Sequence, residues 1–312
     1  MSKKRNRLRV GVVGFGEIGR VHIQHLQQAG AKVTGVVTHH RESRPGFPFY
    51  DSLKSLLPDV DAVTIAVPNY LHAKFCLEAM RAGKAVLVEK PLCLTASELA
   101  ELEATLLSTS VPVKLGFRLR WNPRLRALRE RLDHVRSVDC CYRLGIDKLA
   151  AGKDWTRHQD KSGGALFTLG IHTLDLIRWL VGAQGAPLSD MEVLADYGDD
   201  SSDFPLVVSL SGRLLNDIHI TAEADLRGDT PFSLDLKIDA EKGCYPDPSL
   251  PWPGPEDEAA TDCEYMGLIK DFVRASKHGK PNRDEVFEYL ESHRELIKAQ
   301  ELISRKGYPV LK

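Results

Sequence analysis

The sequence lacks the features that mark nucleic-acid-binding, metal-binding, disulfide-bonded and membrane proteins. Its 42 Lys and Arg residues nearly balance its 43 Asp and Glu residues, so no basic excess favours nucleic acid or anionic lipid. The six cysteines form no CxxC pair and no Cys/His cluster at zinc spacing, so we expect no disulfide framework and no metal site. No run approaches the roughly 18 consecutive apolar residues of a membrane helix. We therefore expect a soluble, cytoplasmic protein with reduced thiols and a small-molecule partner.

The chain contains enough hydrophobic residues to form the cores of two domains. The chain has 312 residues, 43% of them hydrophobic, which is more than one core usually holds. In residues 1–120, short β-branched runs alternate with segments at helical spacing, which predicts a doubly wound parallel sheet. The predicted strands are Leu8–Val13, Lys32–Thr38, Ala62–Val67, Ala85–Glu89 and Val113–Phe117, and the predicted helices are Ile18–Ala29, Ser52–Leu57, His72–Ala82 and Ala96–Ser108.

Residues 121–312 follow another rhythm and predict a second domain, in which consecutive strands favour antiparallel pairing. Such a sheet would leave an apolar face exposed on one side, so we expect a homo-oligomer, a dimer or a tetramer. The predicted strands are Val135–Leu144, Met191–Tyr197, Pro205–Leu215, Asp217–Leu226 and Phe232–Asp239, the predicted helices are Pro123–Arg131, Ala165–Leu180, Asp262–His278 and Asp284–Arg305, and a proline-rich loop is predicted at Pro246–Pro255.

The segment GFGEIG matches GxGxxG between a predicted strand and a predicted helix, the context that this dinucleotide-binding pattern requires. Gly14 would allow the tight turn, Gly16 the approach of a pyrophosphate, and Gly19 the close packing of helix and strand. Free N–H groups at the helix start would hold the anion. The predicted cofactor contacts of this loop are Gly14, Phe15, Gly16, Glu17, Ile18 and Gly19.

The end of the second strand normally distinguishes NAD from NADP. A carboxylate there bonds the ribose 2′-OH and repels a 2′-phosphate. This chain instead has Thr38, His39 and, after a second histidine, Arg41, and no acidic residue before Glu42. A hydroxyl and a guanidinium are suited to a 2′-phosphate, so we expect NAD(P) binding with NADP favoured over NAD. The alternative is that these residues form an ordinary solvated loop.

Three more segments lie where ligand-facing residues are expected, after strands or at the start of a helix. They are PNYLH, with Pro68, Asn69 and His72; EKP, with Glu89 and Lys90; and GGALFTLGIHTLD, which contains His172 and ends at Asp175. With GFGEIG and the segment Gly116–Pro123, they occur in the order found in the glucose-fructose oxidoreductase and inositol dehydrogenase family (Gfo/Idh/MocA), which the chain resembles over nearly its whole length. That resemblance implies a Rossmann domain followed by an α/β domain with a large, mostly antiparallel mixed sheet.

The resemblance also implies the catalytic residues. It assigns the family's lysine to Lys90, whose ammonium would stabilise a developing alkoxide, and the family's acid/base histidine to His172. Many sugar and inositol dehydrogenases of the family have Asp four residues before the histidine, whereas this chain has Thr168, so the site has lost one charge. A helix-face role is the alternative for the predicted substrate contacts, which are Thr168, Asp175, Arg120 and Trp155.

The expected activity is hydride transfer between nicotinamide C4 and a secondary alcohol or ketone of a sugar, cyclitol or sugar derivative. Two other functions stay open. One is a C=N or enone reductase on the same scaffold, which would need Lys90 and His172 less strictly. The other is a non-catalytic, dinucleotide-sensing regulatory protein, because the family includes a transcriptional repressor; the presence of both Lys90 and His172 argues against it.

Overall fold

A computed structural model describes residues 7–39, 46–183, 185–198, 203–241, 243–245, 258–279 and 283–306. The chain divides into two compact units. The first comprises Met1–Cys93, Ser97–Arg118 and Asp262–Val286, and the second comprises Leu94–Ala96, Leu119–Thr261 and Phe287–Lys312. The predicted division at residue 120 places 262–286 in the second domain, whereas in the structure this segment packs with the first unit. The predicted loop Pro246–Pro255 lies outside the described residues.

The first unit contains the predicted parallel sheet. Its strands follow the order β3-β2-β1-β4-β5-β6 with every neighbouring pair parallel, the doubly wound order of a dinucleotide-binding fold. This confirms the predicted fold class. The elements are β1 (Arg9–Val13), α1 (Glu17–Gln28), β2 (Lys32–Val37), β3 (Phe49–Tyr50), α2 (Leu53–Leu56), β4 (Ala62–Ile65), α3 (His72–Arg81), β5 (Ala85–Val88), α4 (Ala96–Ser108) and β6 (Val113–Leu115).

The central strands of this sheet are buried along their whole length because helices cover both faces of a doubly wound sheet. All four residues of β4 and of β5 are buried, as are the three residues of β6. Sequence reasoning missed β3, since a strand of two residues carries no periodicity. The segments that follow β1, β4 and β5 therefore lie at the carboxyl ends of parallel strands, where ligands bind in this class of sheet.

The second unit contains a six-stranded sheet in the order β12-β11-β7-β10-β9-β8. Its pairs are antiparallel except β7 with β10, which is parallel, so the sheet is mixed and mostly antiparallel, as predicted. The elements that follow β6 are α5 (Pro123–Arg131), β7 (Val135–Arg143), α6 (Ile146–Ala150), α7 (Gln159–Ser162), α8 (Ile171–Val181), β8 (Ser189–Asp196), β9 (Val207–Leu214), β10 (Ile218–Asp225), β11 (Ser233–Ala240), β12 (Gly243–Tyr245), α9 (Glu258–His278) and α10 (Arg283–Lys306).

The most apolar helical span of the second unit corrects one sequence expectation. Gln159–Val181 is long and apolar enough, by length and composition, to cross a membrane, but nearly all of its most apolar part is buried, as in a core helix, and the expected absence of a membrane span stays a prediction. The predicted α-helix Ala165–Leu180 is not α-helical throughout. Leu166–Gly170 forms a π-helical segment, and α8 begins at Ile171. A π-turn pairs residues five apart, and its local sequence carries no periodicity that distinguishes it from an α-helix.

One face of the second sheet is polar, which removes the reason given for a homo-oligomer. Residues alternate along the strands, and the outward positions carry hydroxyl and charged side chains such as Asp139, Ser211 and Lys237. Arg136 pairs with Asp239 across strands at 2.5 Å. The number and order of the strands do not by themselves assign their alternate residues to faces. Among the described residues of these strands, Leu194 is the exposed large hydrophobic side chain.

Candidate active site

The glycine-rich loop after β1 has the geometry expected from its sequence. Gly14 has φ +99°, and a Cβ there would lie 2.1 Å from the carbonyl oxygen of Ala66, so any side chain would collide with backbone. A Cβ at Gly19 would lie 2.3 Å from the carbonyl oxygen of Gly14, which confirms close packing of α1 on the loop. A Cβ at Gly16 would meet nothing within 4 Å. The loop thus has open space at the one glycine expected to admit a pyrophosphate.

The start of α1 fits an anionic ligand. Gly16 is the N-cap residue and has no side chain that could cap the first-turn N–H groups, which carry the positive end of the helix dipole. Phe15 anchors the loop, with its ring centroid 5.7 Å from that of Phe49 and the Arg20 guanidinium 4.7 Å from its own ring. The uncapped start and the open space at Gly16 fit the pyrophosphate of a dinucleotide. Contacts from Glu17 and Ile18 stay predictions.

After β2, Thr38 is half-buried and His39 is exposed, while Arg41 lies outside the described residues. Neither Thr38 nor His39 carries a carboxylate, so the described part of this segment lacks the group that would bond a ribose 2′-OH.

The segment after β4 bonds mainly to its own unit. His72 is buried, with Nδ1 2.6 Å from the carbonyl oxygen of Pro91 and Nε2 2.8 Å from that of Val67. Both ring nitrogens therefore face backbone carbonyls, and burial lowers the pKa of this histidine. Its ring thus connects the EKP segment with the end of β4, and its predicted cofactor contact stays a prediction. Asn69 is also buried, and a cofactor contact by it or by Pro68 stays a prediction.

Glu89 and Lys90 follow β5, are adjacent in the sequence and carry opposite charges. Glu89 is 9% exposed, and its Oε1 lies 3.0 Å from Nε2 of His22 on α1. Lys90 is half-buried, and burial lowers its pKa to about 8, with the Arg118 guanidinium adding to that effect and the Glu89 carboxylate opposing it. A lysine with this pKa exchanges its proton near neutral pH, as an acid/base or electrostatic catalyst requires.

Helix α9 supplies residues that the sequence did not connect with this segment. Arg118, which follows β6, is ion-paired with Glu264, and its guanidinium lies 5.8 Å from the ring of Tyr265. Lys114 pairs with Asp271 of the same helix at 2.6 Å. Because α9 is about 140 residues away from Arg118 in the chain, sequence spacing gives no signal of this contact.

In the second unit, His172 lies in the first turn of α8 and is 5% exposed. The ring of Tyr142, from β7, stacks on the His172 ring with centroids 5.1 Å apart and an angle of 14° between the planes. Phe232 packs edge-on against Tyr142 at 4.7 Å. Thr168 lies in the π-helical segment and is 6% exposed, so regular α-helical geometry does not set its position relative to His172.

Asp175 and Arg120 are joined by two hydrogen bonds. Arg120 donates from its Nη2 to Oδ1 of Asp175 at 2.5 Å and from Nε to Oδ2 at 3.0 Å. Arg120 also pairs with Glu288 at 3.1 Å and lies over the ring of Tyr289. Although burial alone would lower the pKa of Arg120, the charge of Asp175 raises it. Both oxygens of Asp175 thus already accept hydrogen bonds, and its predicted substrate contact stays a prediction.

Trp155 is half-buried in the 3-10 turn Asp154–Arg157, and its predicted substrate contact stays a prediction. His22 and Tyr142 were not found from the sequence. His22 follows the glycine motif in GRVH but carries no signal that sets it apart from a core histidine, and Tyr142 reads as an ordinary inward residue of a strand. In the part of the chain that the structure describes, no group of three His, Cys, Asp or Glu residues is arranged to hold a metal ion.

The fold and the site elements define a dinucleotide-binding oxidoreductase class, and comparison with known families agrees. Residues 8–117 match the model of the oxidoreductase family with an NAD-binding Rossmann fold, and residues 126–195 match the C-terminal alpha/beta domain of the same family. The two matches together span more than half of the chain. The chain therefore belongs to the Gfo/Idh/MocA oxidoreductase family.

Relatives of the chain are oxidoreductases. An uncharacterised oxidoreductase of Synechocystis sp. is 31% identical over 211 residues, which cover 62% of this chain and 56% of the relative. Inositol 2-dehydrogenase of Rhizobium meliloti is 28% identical over 224 residues, 66% of each chain. The chain thus matches these relatives over less than two thirds of their length. The crystal structure of GenD2 from gentamicin A biosynthesis, in complex with NAD, superposes with a TM-score of 0.82 at 22% identity, covering 97% of this chain and 95% of that chain.

Proposed function

We propose that the chain is an NAD(P)-dependent dehydrogenase or reductase acting on a secondary alcohol or ketone of a sugar, cyclitol or sugar derivative. The observation that carries this proposal is Lys90, a half-buried lysine with a pKa of about 8 at the carboxyl end of a strand, in the same unit as a glycine loop open at Gly16. Such a lysine is useful beside an oxygen whose charge changes during reaction. The likeness to an inositol 2-dehydrogenase supports a polyol substrate.

The roles of the residues follow from their chemistry. Gly14, Gly16 and the start of α1 would hold the dinucleotide, which would supply or take up the hydride. Lys90 in its protonated form donates a hydrogen bond to the reacting oxygen and stabilises alkoxide character there. His172 takes the hydroxyl proton during oxidation and returns it during reduction. We assign no charged partner to His172 at residue 168, because threonine cannot ionise.

We further propose that NADP is preferred over NAD. Support comes from Thr38 and His39, which bring no negative charge to the end of β2, so a 2′-phosphate meets no repulsion there. Titration by quenching of tryptophan fluorescence should give about tenfold tighter binding of NADPH than of NADH, roughly 1.4 kcal/mol. Thr38→Asp should reverse the preference. Equal or tighter binding of NADH by the parent protein would contradict this part of the proposal.

The activity itself is tested by incubating the protein with a panel of polyols, cyclitols and ketoses and either nicotinamide cofactor, and following absorbance of the reduced form. Turnover with at least one secondary alcohol or ketone, lost in Lys90→Ala, is the expected result. Binding of NADPH without turnover on any substrate would favour the regulatory alternative. Turnover confined to C=N or C=C substrates and retained in Lys90→Ala and His172→Ala would favour the other reductase.

A homo-oligomer and a cytoplasmic location remain proposals. Because the outward face of the second sheet is polar, with pairs such as Arg136 and Asp239, association through that face would depend on charge. Sedimentation in 50 mM and 500 mM salt tests this, and an oligomer that is equally stable in both would point to another surface.

A further inference from the structure

Two histidines of α1 lie buried on the same helix, and each meets a carboxylate. His22 Nε2 lies 3.0 Å from Oε1 of Glu89, and His25 Nε2 lies 2.9 Å from Oδ1 of Asp262. Glu89 directly precedes Lys90, whereas Asp262 belongs to α9. We propose that His22 is a positioning residue, which keeps Glu89 ionised and through Glu89 holds the proton on Lys90.

The tautomer of His22 follows from its surroundings. A carboxylate only accepts hydrogen bonds, so Nε2 must carry the hydrogen that faces Glu89. Nδ1 of His22 is buried and has no hydrogen-bond partner among the described residues. A hydrogen on Nε2 satisfies the contact with Glu89, and an Nδ1 without hydrogen leaves no donor unsatisfied.

The position of the Glu89 carboxylate is fixed from a second side. A Cβ at Gly116 would lie 2.6 Å from Oε2 and 3.0 Å from Oε1 of Glu89, so the carboxylate fits because residue 116 has no side chain. Burial alone would raise the pKa of Glu89, but the hydrogen bond from His22 and positive charge on His22 and Lys90 lower it. Gly116 thus leaves room for the Glu89 side chain, and His22 stabilises its ionised form. Without such stabilisation, a buried acid tends to take up a proton.

The groups that face Lys90 act in opposite directions. The Glu89 carboxylate favours the ammonium form of Lys90, while the Arg118 guanidinium, held by Glu264 of α9, disfavours it. His72 also faces the pair, with its ring nitrogens directed at backbone carbonyls. Loss of the His22 N–H would let Glu89 take a proton. Lys90 would then lose its adjacent negative charge, and its amine would become neutral at lower pH.

This inference rests on the proposed function for its catalytic meaning, but its first test needs no turnover. The cofactor-free protein is labelled with acetic anhydride between pH 6 and pH 10, and modification of Lys90 is measured by peptide mass spectrometry, with exposed Lys54 as internal reference. The parent should give a midpoint near pH 8. His22→Phe should lower the midpoint by about one pH unit, and His22→Gln, which keeps an N–H donor, should restore most of it.

His25→Phe is the matched control, since it removes the same ring from the same helix and a contact with a different carboxylate. It should leave the Lys90 midpoint unchanged. If His22→Phe does not fold, Gly116→Ala replaces it, because the added methyl displaces the carboxylate from His22 and should also lower the midpoint. An unchanged midpoint in the folded variant, or an equal shift in His25→Phe, would overturn the proposal.

The pH profile of kcat/KM gives the second readout and separates the two proposals. In His22→Phe, the upper limb of the profile should move to lower pH, as the labelling midpoint does. If His22 had only a structural role, the rate would instead fall by the same factor at every pH. A shifted midpoint together with full turnover in Lys90→Met would retain the His22 inference and refute the proposed function. An unshifted midpoint together with an inactive Lys90→Met would do the reverse.

Discussion

The two units carry their candidate residues in different ways. In the first unit, the glycine loop and Lys90 directly follow parallel strands, so their position in the chain fixes their position at one edge of the sheet. In the second unit, His172 is surrounded by residues from separate elements, with Tyr142 from β7 stacked on its ring. The first arrangement is set by the backbone and the second by side-chain packing. Substitutions that separate backbone from packing effects therefore test the comparison.

The largest effect is expected from Lys90→Met. Turnover should fall by about a hundredfold or more, the range for loss of a positioned electrostatic or acid/base group. Because burial lowers the pKa of Lys90 from 10.5 to about 8, the ammonium costs the folded state up to roughly 3 kcal/mol at pH 7. The methionine variant should thus be inactive and more stable. Urea unfolding and initial rates measured on one preparation check both.

The pH dependence of this stability difference has a definite sign. Below about pH 8, Lys90 is protonated in the folded and the unfolded chain, so its burial cost is fully present. Between about pH 8 and 10.5 the folded state releases its proton first, and the parent gains stability relative to Lys90→Met. His172→Ala should match the loss of turnover without such a stability gain. A parent and a Lys90→Met variant of equal stability at pH 7 would show that Lys90 is well solvated.

The next effect is expected from a pair of glycines in the loop. Gly19→Ala places a methyl 2.3 Å from a backbone oxygen, so it should destabilise the fold by about 1–3 kcal/mol, as overpacking does. Gly16→Ala meets open space, so its melting temperature should be unchanged while dinucleotide affinity falls by about tenfold. Calorimetry with and without NADPH separates the two. Unchanged affinity in Gly16→Ala would place the pyrophosphate elsewhere.

These glycines show why the first unit was largely predictable from the sequence. A turn that excludes Cβ atoms demands glycine, and a strand with helices on both faces demands an apolar run, so Gly14 and β4 leave unambiguous local signals. His72 shows the limit of the same reasoning. Its place in the PNYLH segment predicts a cofactor contact, which stays a prediction, whereas the contact of its ring with the carbonyl of Pro91, 19 residues later, has no signal in the sequence.

The second unit was predictable in outline but not in its contacts. The alternation of apolar and polar residues predicted the four strands β8 to β11. The parallel pairing of β7 with β10, however, joins strands that are far apart in the sequence, and no local pattern predicts it. The stack of Tyr142 on His172, the bonds from Arg120 to Asp175 and the π-helical segment around Thr168 all join residues through tertiary packing. No local pattern encodes such contacts, so sequence reasoning found the residues without their partners.

A smaller effect is expected from Thr168→Asp, which adds a charge four residues before His172. A carboxylate near His172 would favour the imidazolium and raise the pKa of that histidine. The base would need a higher pH to be neutral, so the lower limb of the kcat/KM profile for alcohol oxidation should move up by about one pH unit. Thr168→Asn is the uncharged control.

Thr168 is 6% exposed, so the same substitution also tests whether residue 168 is solvated during the reaction. A carboxylate buried away from any partner would cost several kcal/mol and give a poorly folded variant. A native-like melt with an unshifted profile would refute the coupling to His172. A collapsed melt in Thr168→Asp but not in Thr168→Asn would show that residue 168 packs in the core and takes no part in the chemistry.

The smallest effect is expected at Tyr142, where packing rather than charge is changed. Its ring lies nearly parallel to that of His172, with an angle of 14° and centroids 5.1 Å apart, and Phe232 holds it from the edge. Aromatic pairs of this kind contribute about 0.5–1.5 kcal/mol beyond burial, so Tyr142→Leu should lower stability modestly. It should also lower kcat/KM modestly, because the imidazole of His172 loses the ring that fixes its plane. Tyr142→Phe keeps the ring and should stay close to the parent in both. If Tyr142→Phe loses as much activity as Tyr142→Leu while its melt is native, the hydroxyl of Tyr142 rather than its ring acts on the site. The second unit would then position its candidate residue by a polar contact, as the first unit does where His22 bonds to Glu89.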